Sequence, residues 1–385
     1  MLISKLQLQN WRNFKHIEVD LRDRVFIIGS NASGKSNLLD VFRFLRDIAK
    51  PGSGGLQGAV MERNGMTKLR SLLARKNPVV SIMVELSHKV DEPPAWRYSL
   101  SIKSEGKGQQ RVIVHSEKTE DLKNSKLVFE RPNDEDRADP ERLTETNLEQ
   151  VNANKDFREV AQFFSSLTYL HLVPQLLKHG ELGHGSQLAH DPFGQSFLER
   201  IAKTPDRTRN IRLQKIEAAL KACVPNMRDL RFERDPATGT PHLSALYKHW
   251  RPDAGWQRED QFSDGTLRLL GIMWSLLDGD SLLLLEEPEL SLNEAIVRQI
   301  PPLLWQMRRK SKHQRQVFVT THSEALLTHP SIEPRDVVRL KLTPDGTVVD
   351  PASREELELV EAGYTVAEVM VKKIDPAQAE QLSIL

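Results

Sequence analysis

The sequence has very little cysteine: Cys223 is the single thiol among 385 residues. One thiol excludes an internal disulfide and any metal site built from a cluster of cysteines. Nothing beside Cys223 in the sequence would lower the pKa of its thiol and make it reactive. We therefore interpret it as a small buried apolar residue.

Long apolar runs and an excess of charge of one sign are also missing. No stretch approaches the roughly 18 to 20 apolar residues that a membrane-spanning helix needs, and the opening MLISKLQLQNWRNF lacks the apolar core of a signal peptide. We therefore expect a cytoplasmic protein that does not contact a membrane. The formal net charge is +1, so any affinity for nucleic acid must come from a local patch.

What is present is an alternation of strands and helices. Hydrophobic residues make up 39% and charged residues 28% of the chain, which is typical of a globular protein and excludes a disordered one. Residues 2–9 alternate apolar and polar side chains, as in a half-buried strand. A second strand at 24–28 runs into a glycine-containing loop, and helical spacing follows over 37–49. Strand, loop and helix in this order form half of a βαβ unit.

The middle of the sequence has a different texture. Short strand-like segments separated by polar turns predict an inserted antiparallel β lobe over residues 79–130. The acidic stretch 133–150, interrupted by Pro140, is typical of a solvated loop. Residues 151–257 have mainly helical spacing, and the alternation of predicted strands and helices returns over 262–345.

One loop within this middle region is rich in glycine and histidine. Its histidines are His179, His184 and His190. They lie on no predicted helix or strand that would bring them together. We therefore predict no metal site in this segment.

A basic segment, Arg308–Arg315, ends a predicted helix. Cations at a helix C-terminus complement the helix dipole, so a solvated cap is one interpretation. The other is contact with the phosphate backbone of nucleic acid, independent of base sequence. No aromatic residue is interleaved for base stacking, so the segment permits DNA binding without requiring it.

The strongest motif is a phosphate-binding loop between the strand at 24–28 and the helix that follows. It is a complete G-x-x-x-x-G-K-S and reads Gly29-Ser30-Asn31-Ala32-Ser33-Gly34-Lys35-Ser36, with Asn37 opening the helix. Glycines let successive backbone N–H groups approach phosphate oxygens, and the helix N-terminus adds positive charge. Lys35 supplies a cation for the β- and γ-phosphates, and the Ser36 hydroxyl ligates Mg²⁺. The loop predicts that residues 29–37 bind ATP.

Two carboxylates follow a run of four leucines, residues 282–285. Such a run suits a central strand that is buried on both faces. The carboxyl end of a parallel strand is where α/β sheets bind ligands. We therefore assign Glu286 to Mg²⁺, and Glu287 to orienting and deprotonating the attacking water.

Two further segments narrow the class. Ser263-Asp264-Gly265-Thr266 lies about twenty residues before the acidic pair, and Thr320-Thr321-His322-Ser323 lies about thirty-five after it. This arrangement resembles the ABC ATPases, and more narrowly the soluble RecF, SMC and OLD-like ATPases, which include AAA-type ATPases of bacterial antiphage systems. The opening LQLQNWRNF is also similar to the N-terminal strand and turn of that group.

The resemblance implies an α/β fold of the ABC-ATPase head type over residues 1–350. It comprises a P-loop core (1–50 and 258–345), the inserted antiparallel β lobe (79–130) and a mainly helical signature lobe (151–257), followed by a C-terminal tail (351–385). It also implies site residues. Ser263 and Gly265 would contact the γ-phosphate bound to an opposite subunit, and His322 the γ-phosphate in its own subunit. Arg12 would approach the nucleotide, with an ordinary surface arginine as the alternative.

The sequence departs from the family pattern in several places. Glu286 stands where aspartate is usual, and the histidine-proline pair often found after it is missing. The glutamine that joins the lobe to the metal is not identifiable: Gln175 is a candidate only by its position, and we do not assign it to the site. No long coiled coil separates Ser36 from Ser263, which argues against an SMC architecture. The residues after Lys341 are too few for a TOPRIM nuclease domain.

The resemblance therefore implies an ATPase with ATP and Mg²⁺ as cofactors, which hydrolyses ATP slowly and forms a homodimer or a higher homo-oligomer through ATP. We expect it to act as the switch for a separately encoded effector, with a nuclease as one candidate, in antiphage defence. Two alternatives stay open: a RecF-like DNA-repair factor that contacts nucleic acid, and a scaffold that binds ATP without hydrolysing it.

Overall fold

The computed structural model describes residues 1–74, 77–106, 111–178, 194, 196–251, 255–309 and 315–371. The histidines His179, His184 and His190 lie outside the described residues, and so do positions 310–314 of the basic segment. Among the helices that the structure describes, none combines the length and apolar character that crossing a membrane would need.

Fifteen strands lie in the described ranges. They are β1 (Leu2–Trp11), β2 (Phe14–Asp20), β3 (Arg24–Gly29), β4 (Val80–Ser87), β5 (Trp96–Ser104), β6 (Val112–Asp121), β7 (Lys126–Arg131), β8 (Thr168–Leu170), β9 (Met227–Arg234), β10 (Pro241–Tyr247), β11 (Trp256–Arg258), β12 (Leu283–Glu286), β13 (Val317–Thr320), β14 (Val337–Thr343) and β15 (Gly346–Val349).

Thirteen α-helices lie in the same ranges. They are α1 (Lys35–Ala49), α2 (Gly55–Met61), α3 (Met66–Leu69), α4 (Asp134–Ala138), α5 (Arg158–Ser165), α6 (Pro174–Lys178), α7 (Phe197–Lys203), α8 (Asp206–Cys223), α9 (Asp264–Leu277), α10 (Glu294–Val297), α11 (Ile300–Arg309), α12 (Glu324–Leu327) and α13 (Arg354–Glu361).

The chain divides into two compact units. Of the described residues, the first unit holds those within 1–168, 281–284 and 315–371, and the second unit holds those within 169–280 and 285–309. The first unit holds the phosphate loop. The second holds the acidic pair and the Ser-Asp-Gly-Thr segment.

Strands β15, β14, β3 and β13 of the first unit are neighbours, in that order, in the core sheet. Strand β3 is parallel to both of its neighbours, with Phe26 opposite Val319 of β13 and Val337 of β14. All six residues of β3 are buried, as expected for a central strand that is covered on both faces. The predicted α/β core is therefore confirmed.

A second sheet of this unit has the order β2-β1-β4-β5-β6-β7 and antiparallel pairing. Strands β4 to β7 lie within the predicted inserted lobe. Strands β1 and β2 were assigned to the P-loop core, but they join this sheet instead, with Leu6 opposite Val84. The reason is physical: between Lys5 and Asn10, β1 alternates half-exposed or exposed residues with buried ones, and such a strand suits an antiparallel sheet with one exposed face.

The acidic stretch 133–150 is exposed at more than half of its positions, as predicted for a solvated loop, but it contains the short helix α4 and is anchored to the first unit at Asp136 and Glu149. Arg131 is buried and donates to Asp136 (2.7 Å) and to the carbonyl of Glu145 (2.9 Å). Glu149 accepts from the backbone N–H of Leu56 (3.2 Å). Two of its acidic side chains, Asp136 and Glu149, thus accept hydrogen bonds from buried donors, which composition alone does not reveal.

The second unit contains more strand than the predicted helical lobe allowed. Strands β9, β10 and β11 form a three-stranded antiparallel sheet, and α8 packs on β9. Strand β9 reads MRDLRFER and buries only Met227 and Leu230, so its pattern gave little sign of a strand. Helix α9 lies within the predicted α/β range 262–345, and ten of its residues are buried.

The predicted C-terminal tail also contains secondary structure. Ser353 caps α13, and Glu356 on that helix is buried against Arg339 of β14 (2.8 Å). A π-helical turn follows at Ala367–Val371. These contacts attach the described part of the tail to the first unit.

Candidate functional site

The phosphate loop joins β3 to α1 in the first unit, as its motif requires. Lys35 is buried, and its Nζ donates to the carbonyl oxygens of Gly29 (2.9 Å) and Ser30 (3.1 Å). The side chain therefore curls over the loop from the first residue of α1. Ser36 is exposed on the next position of the helix. The first amide groups of a helix have no partners within the helix, so this end of α1 suits an anion.

The loop glycines are required by close contacts. Gly34 has φ 97°, and a Cβ there would lie 2.1 Å from the side-chain nitrogen of Asn13. A Cβ on Gly29 would lie 2.5 Å from Oγ of Ser33 and 2.7 Å from the carbonyl oxygen of Leu340. Only a residue without a side chain lets the backbone follow this path. The loop is thus shaped as a cradle of backbone, which fits a phosphate chain.

Two residues far apart in the sequence hold this loop. Asn13 donates to the carbonyl of Ser33 (3.1 Å) and to Oγ1 of Thr347 (2.7 Å), and accepts from Nδ2 of Asn37 (2.7 Å). Thr347 in turn donates to the same Ser33 carbonyl (2.9 Å). Sequence reasoning missed both roles. The Asn-Phe turn at 13–14 could have pointed to Asn13, whereas nothing in the sequence marks Thr347.

Arg12 lies against α1. Its guanidinium donates to Oδ2 of Asp40 (2.6 Å), which is also held by Arg63 through two hydrogen bonds (2.9 and 3.0 Å). Burial alone would raise the pKa of the Asp40 carboxyl, but the positive charges of Arg63 and Arg12 hold that pKa below its usual value. Arg12 is thereby held beside Asp40, which lies a little more than one turn after Lys35 on α1. Its contact with a nucleotide stays a prediction.

His322 lies at the same edge of the core sheet as the phosphate loop. It follows β13, and the N–H of the preceding Thr321 donates to the carbonyl of Ile27 (3.1 Å), two residues before Gly29. The His322 side chain is exposed. The first unit therefore brings together the loop, Asn13, Arg12 and His322.

The acidic pair stands at the end of β12 in the second unit. Tyr169 donates its hydroxyl proton to Oε2 of Glu286 (2.5 Å), and Nδ1 of His171 lies 3.4 Å from the Glu286 carbonyl oxygen. Glu287 has φ 44°. A non-glycine residue in this left-handed region is strained by about 1 to 3 kcal/mol, and such residues are concentrated at functional sites. The two residues thus differ in what orients their side chains. The Glu286 carboxylate is held by the hydrogen bond from Tyr169, whereas the direction of the Glu287 side chain is set by its left-handed backbone.

The donors suit magnesium better than a metal held by protein alone. Among the described residues, no group of three or more His, Cys, Asp or Glu side chains could hold a metal ion. Mg²⁺ is usually bound by one or two protein oxygens together with water and substrate phosphates. The Ser36 hydroxyl in the first unit and the Glu286 carboxylate in the second unit are each an oxygen donor of that kind, and their shared role stays a prediction.

The Ser-Asp-Gly-Thr segment begins α9 in the second unit. Ser263 caps the helix, and its Oγ accepts from the N–H of Thr266 (3.2 Å). A Cβ on Gly265 would lie 2.9 Å from the carbonyl oxygen of Ser291. A cavity of about 290 Å³ opens beside these residues, with Asn293 and Cys223 also in its lining. Ser263 itself is exposed, so its hydroxyl is accessible to a ligand.

Arg268, one turn further along α9, is a residue that sequence reasoning missed. It is buried beside Glu286 and Pro288. Burial lowers the pKa of its guanidinium, while the negative charges of Asp264, Glu289 and Glu287 oppose that shift. Its Nε makes no hydrogen bond within the part of the chain that the structure describes. A positive charge therefore accompanies the acidic residues within the second unit.

Comparison with protein families gives a match over most of the chain. Residues 24–328 match the profile of the family described as "AAA domain, putative AbiEii toxin, Type IV TA system". The matched range includes the phosphate loop, the Ser-Asp-Gly-Thr segment, the acidic pair and His322.

Curated relatives match a shorter stretch. The DNA replication and repair protein RecF of Bacillus mycoides is 30% identical over 90 residues, which is 23% of this chain and 24% of that protein. RecF of Bacillus cytotoxicus has the same identity and coverage. The chain thus spans about a quarter of the length of the curated relatives it matches.

Solved structures with a similar fold include heads of SMC proteins. A structure of the Smc head bound to the C-winged helix domain of ScpA has a TM-score of 0.56 and 14% identity, covering 92% of this chain and 99% of that one. A Smc head with an extended coiled coil, from Pyrococcus furiosus, bound to the C-terminal domain of ScpA, has a TM-score of 0.52 and 13% identity, covering 94% and 98%. At these identities the likeness shows a shared fold.

Proposed function

We propose a function from one premise: the chain belongs to this AAA-domain family, as an ABC-type P-loop ATPase of the RecF and SMC group. Its proposed activity is to bind ATP with Mg²⁺ and hydrolyse it slowly to ADP and phosphate. Two copies would close around the nucleotide, and the closed dimer would be the active state of a switch.

The phosphate loop is the observation that carries this proposal. Its backbone leaves no room for a Cβ at Gly29 or Gly34, and Lys35 curls over it from the start of α1. In the proposal, the loop residues from Gly29 to Asn37 surround the phosphates, and Lys35 neutralises charge on the β- and γ-phosphates. The exposed Ser36 hydroxyl and the Glu286 carboxylate would hold Mg²⁺, which when bound would supply positive charge for phosphoryl transfer.

Glu287 is proposed as the group that takes a proton from the attacking water. General bases of this kind contribute about 100- to 10,000-fold to a rate. The strained backbone at Glu287 (φ 44°) supports the assignment, because strain persists where a side chain must be held in one direction. His322 is proposed to hydrogen-bond the γ-phosphate, and Arg12 to approach the nucleotide.

The dimer is proposed from the second unit. Ser263 and Gly265 begin α9 beside a cavity of about 290 Å³, and a helix N-terminus with an exposed hydroxyl suits a phosphate. In the proposal these groups bind the γ-phosphate held by the phosphate loop of the other copy. Each of the two sites then needs residues from both copies, so ATP would control dimer formation.

We place the switch in antiphage defence, with a separately encoded effector as its partner and a nuclease as one candidate for that effector. The family description, which names a toxin of a toxin–antitoxin system, supports a defence role. The RecF relatives, named as DNA replication and repair proteins, support the second candidate function, in DNA repair with nucleic acid as a partner.

The proposal is tested by measuring ATP turnover and molar mass of the purified chain on the same sample. We expect slow phosphate release, and a mass that doubles when ATP and Mg²⁺ are added. ATP binding without any turnover would instead support a scaffold that holds ATP constitutively. A molar mass that stays the same when ATP and Mg²⁺ are added would contradict the proposed ATP-dependent dimer.

A further inference from the structure

Asp264 is an unexpected residue in a segment proposed to bind phosphate. It is the first residue of α9 and stands between Ser263 and Gly265. An acidic residue in the first turn stabilises a helix, because its negative charge lies at the positive end of the helix dipole. The same charge repels a nucleotide phosphate that approaches Ser263 and Gly265.

Helix α6 provides two donors to this carboxylate. Nζ of Lys178 lies 2.7 Å from Oδ1 of Asp264, and Nε2 of Gln175 donates to Oδ2 at 2.6 Å. Both oxygens are therefore engaged by α6, and one of the two donors carries a full positive charge. The side chains of Lys178 and Asp264 are 18% and 30% exposed, so water screens the pair only in part.

Arg268 is a second cation whose charge interacts with Asp264. It is buried one turn further along α9 and lies beside Glu286, and the negative charges of Glu287 and Glu289 also stabilise its charged form. Among the described residues, Lys178 is the cation that forms an ion pair with Asp264.

We infer that Lys178 is a positioning residue of the shared site. It neutralises the charge of Asp264 and holds that carboxylate against α6, so that Ser263 and Gly265 can bind the γ-phosphate of the ATP held by the phosphate loop of the other copy. This inference rests on the proposed function. It makes α6 a control element, because displacing this short helix would expose the Asp264 charge and weaken the ATP-bound dimer.

An ordinary structural tie between α6 and α9 predicts a different pattern of effects. If the pair only attaches two helices, removing either partner weakens the dimer equally. If the Asp264 charge is what must be neutralised, Lys178→Met weakens the dimer, Asp264→Asn does not, and the double variant behaves like Asp264→Asn. A double-mutant cycle separates these two cases.

The cycle is measured in a Glu287→Gln background, which is expected to accumulate the ATP-bound dimer. Analytical ultracentrifugation gives the dimer dissociation constant, and a fluorescent ATP analogue gives the ATP affinity of the monomer. We expect Lys178→Met to raise the dimer dissociation constant about tenfold and to leave monomer ATP affinity within twofold. Gln175→Ala is the matched control, which removes a hydrogen bond to the same carboxylate without a charge, and its effect should be smaller.

Each result bears on the inference in a distinct way. A dimer dissociation constant that is unchanged in Lys178→Met overturns the inference. A double variant whose dimer is as weak as that of Lys178→Met also overturns it. If the Glu287→Gln protein without further changes forms no ATP-dependent dimer, the proposed function itself is overturned, together with this inference. If Lys178→Met melts early, Lys178→Gln repeats the comparison, because it keeps a hydrogen-bond donor to Asp264 and loses the charge.

Discussion

Replacement Glu287→Gln is expected to lower ATP turnover by about 100- to 10,000-fold and to leave ATP affinity within twofold. The amide occupies the same space and still accepts a hydrogen bond, but it cannot take a proton from water. The backbone at this position is already left-handed (φ 44°), and glutamine keeps the same side-chain length there. Phosphate release under excess ATP measures the effect, and dimers should accumulate in ATP.

The matched control is Glu289→Gln, which removes a second carboxylate from the same turn. We expect it to retain most of the turnover, because Glu289 is not the proposed base. A Glu287→Gln protein that hydrolyses ATP at the wild-type rate would show that Glu287 is not the base, and Glu289 would then become the next residue to test.

Replacement Lys35→Ala is expected to weaken ATP binding by at least about 100-fold. Lys35 is the one cationic side chain in the loop sequence from Gly29 to Ser36, and its Nζ lies 2.9 Å from the Gly29 carbonyl oxygen. Its charge-assisted hydrogen bonds to phosphate would be lost, and such bonds are about twice as strong as neutral ones. Equilibrium binding of a fluorescent ATP analogue measures the change.

Lys50→Ala is the matched control for this variant. Lys50 is exposed just beyond the other end of α1, so its removal takes away a charge from the same helix without touching the loop. We expect its ATP affinity to match the wild type. An affinity of Lys35→Ala within a factor of two of the wild type would contradict the phosphate-loop assignment.

The parts of the fold that could be predicted from the sequence are those with a local signal. Strand β3, the phosphate loop and α1 follow one another within about twenty-five residues, and the motif requires that order. The four leucines at 282–285 predict a buried strand because their pattern suits no half-exposed element. The start of α9 could also be predicted, since Ser263 is a helix cap by residue type.

The parts that could not be predicted depend on contacts between distant residues. Thr347 reaches Ser33 across 314 positions of sequence, and a threonine in a hairpin carries no mark of that role. The alternation of β1 predicts a half-buried strand but does not say which sheet it joins. Lys178 and Asp264, 86 positions apart, are each an ordinary surface residue until the fold brings them together.

The central claim is that each ATP is held by two copies of the chain, and mixing two inactive variants tests it most directly. Lys35→Ala removes one half of each site, and Ser263→Arg blocks the other half without altering the phosphate loop. A mixed dimer holds one site with both defects and one site with neither. Neither variant alone should hydrolyse ATP, whereas an equimolar mixture should recover about a quarter of the wild-type rate, because half of the dimers are mixed and each has one intact site. A Ser263→Arg protein that hydrolyses ATP at the wild-type rate as a monomer would contradict the shared site.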